Sequence, residues 1–320
     1  MTIRLTLPTV AFAAGLAVSA SAEQSHLVIV VGLGGEPKYT EAYHQLAVSM
    51  VGAAEKKMGL SAANIAYLGE KAADPALAVY RGRSTRENVA RALGEVAARA
   101  HAGDLVMILL IGHGSFQGGQ SLFNLPGPDM SAADFEPLLQ RLSAQRIVLV
   151  NTASASGEFT KVLAGKDRTI VTATKSGMEG NDTEFARYFV EAFTEDKADA
   201  DKDGRVSVLE AFDYAHHEVE RFYEKGHRLL TEHAVLADGG GMARALFLGS
   251  SSGVPVAGGT AADPKLTELV QRRRELEEKI AALRSRKPQM ASAEYEEALE
   301  KLLLDLARSE DAIRRHEAHP

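Results

Sequence analysis

Leu105-Val106-Met107-Ile108-Leu109-Leu110-Ile111 runs without a polar residue into Gly112-His113-Gly114-Ser115. Further on, Arg146-Ile147-Val148-Leu149-Val150 runs into Asn151-Thr152-Ala153-Ser154-Ala155-Ser156-Gly157. Neither apolar run alternates with polar residues, which predicts strands covered on both faces of a parallel sheet. Each ends in small and polar residues. In an open α/β sheet, the groups that bind or react stand at the carboxyl ends of the strands. His113 and Ser154 are therefore expected side by side on one rim, on neighbouring strands.

The surrounding chain repeats the pattern. His26 to Val31, Asn64 to Leu68 and Arg168 to Thr174 read as further buried strands. Helices are predicted from about Tyr39 to Met58, from a Ser84–Glu87 capping box to about Ala100, and from Ser131 to about Leu142. This alternation predicts an α/β three-layer sandwich with a mostly parallel sheet and helices on both faces. Gly32-Leu33-Gly34-Gly35-Glu36-Pro37 follows the first strand, but Pro37 stands where a dinucleotide fingerprint needs its third glycine, so a tight turn is expected there. Gln117 to Met130, rich in glycine and proline, leaves the rim after His113 and is expected to form a pocket wall carrying Asp129.

The first 22 residues read as a secretory signal. Arg4 supplies the positive start, Leu5 to Val18 the apolar stretch, and Ala20-Ser21-Ala22 the cleavage site. The expected protein is exported, periplasmic or extracellular, with no membrane span after cleavage, since no later run reaches about 18 apolar residues. An oxidising compartment permits disulfides, yet the sequence has no cysteine, so stability must come from a packed core. A net charge of -7 argues against nucleic acid as a partner.

The ordered pair of strand ends, Gly112-His113-Gly114-Ser115 and then Ala153-Ser154-Ala155-Ser156-Gly157, resembles the caspase/legumain-like (clan CD) superfamily of cysteine peptidases. The resemblance covers about Ser25 to Gly249. It implies a caspase-like fold, a general base at His113 and a nucleophile at position 154. Ser156 and Gly157 match the residues that follow the nucleophile, and Gly114, Ser156, Gly157 and Asp129 would line the rim pocket. The departure is at position 154, where serine stands in place of the family's cysteine. A thiol beside a histidine yields a thiolate, whereas a serine hydroxyl needs a well-aligned base, usually oriented by a carboxylate. Asp129 and Glu179 lie near enough to the rim in sequence to be candidates for that third group. Two readings stay open: an inactive pseudo-peptidase that binds a peptide or protein, and a serine-type hydrolase using Ser154 and His113.

Asp199-Ala200-Asp201-Lys202-Asp203-Gly204-Arg205-Val206-Ser207-Val208-Leu209-Glu210 fits the EF-hand calcium loop. Asp199, Asp201 and Asp203 take positions 1, 3 and 5, and Gly204 the turn at 6. Arg205 offers its carbonyl at 7, Ser207 a ligand at 9, and Glu210 the bidentate carboxylate at 12. Ca2+ is the expected cofactor. Apolar stripes on either side (Phe185, Tyr188, Phe189 and Phe193, then Leu209, Phe212, Tyr214, Val219 and Phe222) predict flanking helices.

Residues 23–249 thus form the expected main domain, and 250–262, rich in glycine and serine, a flexible linker. Over 263–317 apolar residues recur at alternating threes and fours in two segments divided by Pro288, which predicts an antiparallel helical hairpin of coiled-coil type. Leu303 and Leu304 widen the stripe of its second segment, which predicts contact with a further surface: the main domain, another copy of the chain or a protein partner.

Overall fold

The computed structural model describes residues 23–71, 77–142, 145–195, 197–249, a set of positions from 265 to 287, and 290–318. The expected signal segment and linker lie outside the described residues. Seven strands form one sheet: β1 (Ser25–Val31), β2 (Ile65–Gly69), β3 (Tyr80–Arg83), β4 (Leu105–Ile111), β8 (Arg146–Asn151), β9 (Arg168–Thr172) and β10 (Val235–Asp238). Their spatial order is β10-β9-β8-β4-β1-β2-β3, with every pairing parallel except β9 with β10.

Side chains along a strand alternate between faces, and here both faces are buried. Ile29, Met107, Leu109, Val148 and Val150 join one core with α1 (Pro37–Lys56), α5 (Phe185–Thr194) and α6 (Val208–Lys225). Val28, Val30, Ile108, Leu110 and Leu149 join the other with α2 (Arg86–Arg99), α3 (Ala132–Gln140) and α4 (Glu158–Leu163). The unbroken apolar runs follow from this double coverage. The fold class is the expected three-layer α/β sandwich.

Local chemistry sets the helix starts. Pro37 opens α1 at the position where its missing N–H costs nothing, and Gly35 turns the chain into it at φ +71°. Thr85, not Ser84, caps α2, its side chain accepting from Asn88 N–H. Ser84 is drawn inward instead, where its hydroxyl donates to the Val31 carbonyl at 2.5 Å. The expected open loop after His113 is itself folded. Residues 114–131 form a small antiparallel sheet of β5 (Gly114–Gln117), β6 (Gln120–Phe123) and β7 (Met130–Ser131), turning at Gly118 and Gly119 with φ +58° and +81°. Two successive positive φ angles suit a two-residue hairpin whose twist matches its strands.

At the C-terminus, the described positions from 265 to 283 are helical, and α7 (Ser292–Ala318) follows. Ser309 Oγ donates to the Leu269 carbonyl at 3.4 Å, and Lys287 lies over the Tyr295 ring, so the two segments run antiparallel. Leu276, Ile280, Leu283, Tyr295 and Ile313 are buried, whereas Leu303 and Leu304 face outward. Among the described residues no helix is long and apolar enough to cross a membrane.

Candidate functional site

The sheet reverses its winding between β1 and β4: β2 and β3 continue to one side of β1, while β4, β8 and β9 lie to the other. The crevice beyond the carboxyl ends of such a pair is where an α/β sheet accepts ligands. His113 stands at this point. The register that sets Leu110 opposite Asn151 carries His113 to the level of Ser154.

Ser154 does not turn to the histidine. Its hydroxyl donates to the Gly114 carbonyl at 3.0 Å and accepts the Gly114 N–H at 3.2 Å. The side chain is buried, with 4% of the residue exposed. Gly114 meets it because nothing larger fits: a Cβ there would lie 2.2 Å from the Ser154 carbonyl oxygen. Ala155 follows in the left-handed region at φ 53°, an uncommon conformation outside glycine. Its N–H donates to the Glu179 carbonyl at 2.7 Å. Ser156 and Gly157 are buried braces to the end of β9 rather than pocket wall. Ser156 Oγ lies 3.1 Å from Thr174 Oγ1, which also accepts the Gly157 N–H at 3.2 Å.

His113 is held by a different set. Its Nδ1 lies 3.3 Å from Asp182 Oδ1, and the Tyr43 hydroxyl lies 3.2 and 3.3 Å from its two nitrogens. The Tyr39 ring meets the imidazole edge-on with centroids 4.7 Å apart, and the Tyr39 hydroxyl donates to Asp182 Oδ2. That hydrogen bond holds the Tyr39 phenol above its usual range, and burial, then the Asp182 charge, raises Tyr43. Both phenols are thus neutral donors near neutral pH. Thr183 Oγ1 donates to the Thr152 carbonyl at 2.7 Å and fastens the loop that carries Asp182 to the end of β8.

The two carboxylates expected near the histidine are engaged elsewhere. Asp129 Oδ1 accepts from Leu125 N–H at 2.9 Å within its own loop. Glu179 Oε1 faces His233 Nδ1 at 2.7 Å. Asp182, Tyr39 and Tyr43 were not among the expected site residues. Their only sequence signal is position, since each follows a strand that ends on the same rim. Tyr39, Tyr43 and Asp182 also border a cleft of about 850 Å³ that Tyr223, Arg228 and Leu229 line as well. That volume lies within the range of small-ligand pockets.

The acidic loop is a second centre, between α5 and α6. Asp199, Asp201 and Asp203 each bring a carboxylate oxygen within 4.8 Å of the others. Burial, with the charges of Asp203, Asp201 and Glu210, pushes the Asp199 carboxyl up to about 6 although Gly204 N–H opposes the shift. Such a cluster relaxes when a cation joins it. Glu210 also caps α6: its Oε2 accepts from Ser207 N–H and Oγ at 2.9 and 2.8 Å, and its Oε1 from Ala200 N–H at 3.1 Å. Val208 N–H donates to the Leu246 carbonyl at 2.9 Å, Ser207 bridges to Phe247, and the Arg205 guanidinium covers the Phe247 ring at 4.0 Å. The Arg205 side chain is thus occupied in packing.

No protein-family model matches the chain, and no curated protein matches it. Among solved structures, the chain is similar to the crystal structure of protein GSU0716 from Geobacter sulfurreducens, at a TM-score of 0.42 and 11% identity, over 67% of this chain and 92% of that one.

Proposed function

We propose that this is an exported pseudo-peptidase of caspase/legumain-like type, which binds calcium at Asp199–Glu210 and holds a peptide or protein segment in the cleft beside His113 without cleaving it. The observation that carries the reading is the clasp between Ser154 and Gly114. A serine nucleophile must give its proton to a base within hydrogen-bond reach, and the Ser154 hydroxyl gives its hydrogen to a backbone carbonyl. Tyr39, Tyr43 and Asp182 remain to grip a ligand: aromatic faces for apolar contact and a carboxylate for a donor group. One observation favours the serine-hydrolase alternative. Asp182 beside His113 Nδ1 supplies the base-orienting carboxylate that such a mechanism uses.

The mature protein is expected to turn over no peptide in a diverse library. Ser154→Cys is expected to react with iodoacetamide more slowly than an exposed model thiol, because the sulfur takes a buried position against Gly114. Peptide turnover by the unmodified protein that disappears in both Ser154→Ala and His113→Ala would establish the hydrolase instead.

Calcium is expected to raise the melting temperature. Extracellular loops of this type bind at about 10⁻⁴ to 10⁻³ M, and at ten times the dissociation constant linkage gives roughly 1.4 kcal/mol. Glu210→Gln is expected to remove the shift. Identical melts in chelator and in millimolar calcium would refute the calcium site.

A further inference from the structure

The acidic loop is covered by a side chain from far along the sequence. Arg273, in the first segment of the C-terminal hairpin, is 4% exposed. Its Nη1 donates to the Asp201 carbonyl at 3.2 Å. Its Nη2 lies 3.2 Å from Asp201 Oδ2 and 3.6 Å from Asp203 Oδ2, and the Asp203 side chain beneath it is only 2% exposed. Nε and Nη2 are buried without a hydrogen-bond partner. A guanidinium in that state is held by charge rather than by fitted donors, an arrangement that costs stability unless the surroundings are strongly anionic. The loop is so, with Asp199, Asp201, Asp203 and Glu210 within twelve residues.

We infer that Arg273 is a built-in cation of this loop, and that a divalent ion competes with it for Asp201 and Asp203, so that calcium loading unseats the C-terminal hairpin. The inference rests on the calcium reading above. Each of these two carboxylates has one oxygen tied to the loop backbone: Asp201 Oδ1 accepts from Asp203 N–H at 3.2 Å, and Asp203 Oδ1 from Arg205 N–H at 2.8 Å. The other oxygen of each faces Arg273. An ion taking the backbone-bound oxygens would break the turns that shape the loop, whereas one taking the outer oxygens meets the guanidinium that faces them. Calcium sits about 2.4 Å from its oxygens, which would bring its two charges within a few ångströms of the buried guanidinium. At such separations in a protein interior, like charges repel strongly. Coupling of this kind is reciprocal: whatever factor the seated hairpin takes from calcium affinity, calcium takes from hairpin seating.

The test is calorimetric titration of the full mature chain with calcium chloride, with hydrogen exchange followed over 265–287. Arg273→Gln is expected to tighten calcium binding on the order of tenfold, within the usual range of such couplings. Arg273→Lys, which keeps the charge, is expected to stay near the wild-type affinity. In the wild type, calcium is expected to speed exchange in 265–287. If calcium binds but Arg273→Gln leaves the affinity unchanged or weaker, Arg273 braces the site and the competition is wrong. A wild-type chain that binds calcium with no change in exchange overturns it equally, even should Arg273→Gln fail to fold. If neither the wild type nor either variant binds calcium, the calcium reading falls, and the competition with it.

Discussion

Alanine at position 114 is expected to cost the fold about 3 kcal/mol, at the upper end of what overpacking a close-packed site costs. The added Cβ would meet the Ser154 carbonyl oxygen at 2.2 Å and the Leu122 carbonyl oxygen at 3.0 Å. Both are backbone atoms, so no rotamer change relieves the contact. β5, β6 and the end of β8 would have to separate, and the two hydrogen bonds between Gly114 and Ser154 would go with them. Gly52, inside α1, is the matched control. A Cβ there meets nothing within 4 Å, and Gly52→Ala is expected to stabilise the protein by up to about 1 kcal/mol through helix propensity alone. Urea denaturation of the two variants measures both. Equal midpoints for Gly114→Ala and the wild type would show that the rim is looser than its geometry implies.

Stability is expected to fall by about 3 kcal/mol between pH 4.5 and 7 on account of Glu232. Its carboxyl is 2% exposed at the start of α5, where Oε1 accepts from Glu184 N–H at 2.8 Å and Oε2 from Phe185 N–H at 3.2 Å. Burial pushes it up to about 7, against those two N–H groups and a hydrogen bond from Tyr223 and with some help from the Glu184 charge. The folded chain therefore holds this proton more tightly than the unfolded chain does. The resulting stability is present in full below the unfolded value near 4.5 and is lost as pH rises through 7. Asp199 is raised too and works in the same direction, so the informative quantity is a difference. Glu232→Gln, which cannot ionise, is expected to show a flatter dependence than the wild type over this range. Parallel curves for the two would remove Glu232 from the account.

The raised Glu232 also shows how tertiary structure sets what a residue type leaves open. Nothing around position 232 in sequence marks a buried acid. It is buried because the extended chain before β10 passes over the start of α5, some fifty residues away in sequence.

The features legible in the sequence are those carried by contiguous residues. Leu105–Ile111 and the Ile147–Val150 run of β8 read as interior strands, because short unbroken apolar runs closed by small and polar residues suit strands covered on both faces. Placing them as neighbours followed from the short right-handed connections of parallel sheets, and it set His113 and Ser154 on one rim; that the Ser154 hydroxyl meets Gly114 rather than the histidine was decided by packing. The carboxylates of Asp199, Asp201 and Asp203 converge within one short segment, so their meeting needed no knowledge of the rest of the chain. The Gly118-Gly119 pair was an available hairpin signal, hidden by reading the whole segment as loop. What the tertiary structure alone decided is which distant groups meet. Asp182 reaches His113 because Thr183 is fastened to the end of β8, and Tyr39 and Tyr43 because α1 starts beside the same rim. Arg273 reaches Asp201 across seventy-two positions. Local patterns fix conformation through sterics and burial within a few residues. Charges and hydrogen bonds act only at contact, and contact between distant residues exists only once the chain has packed.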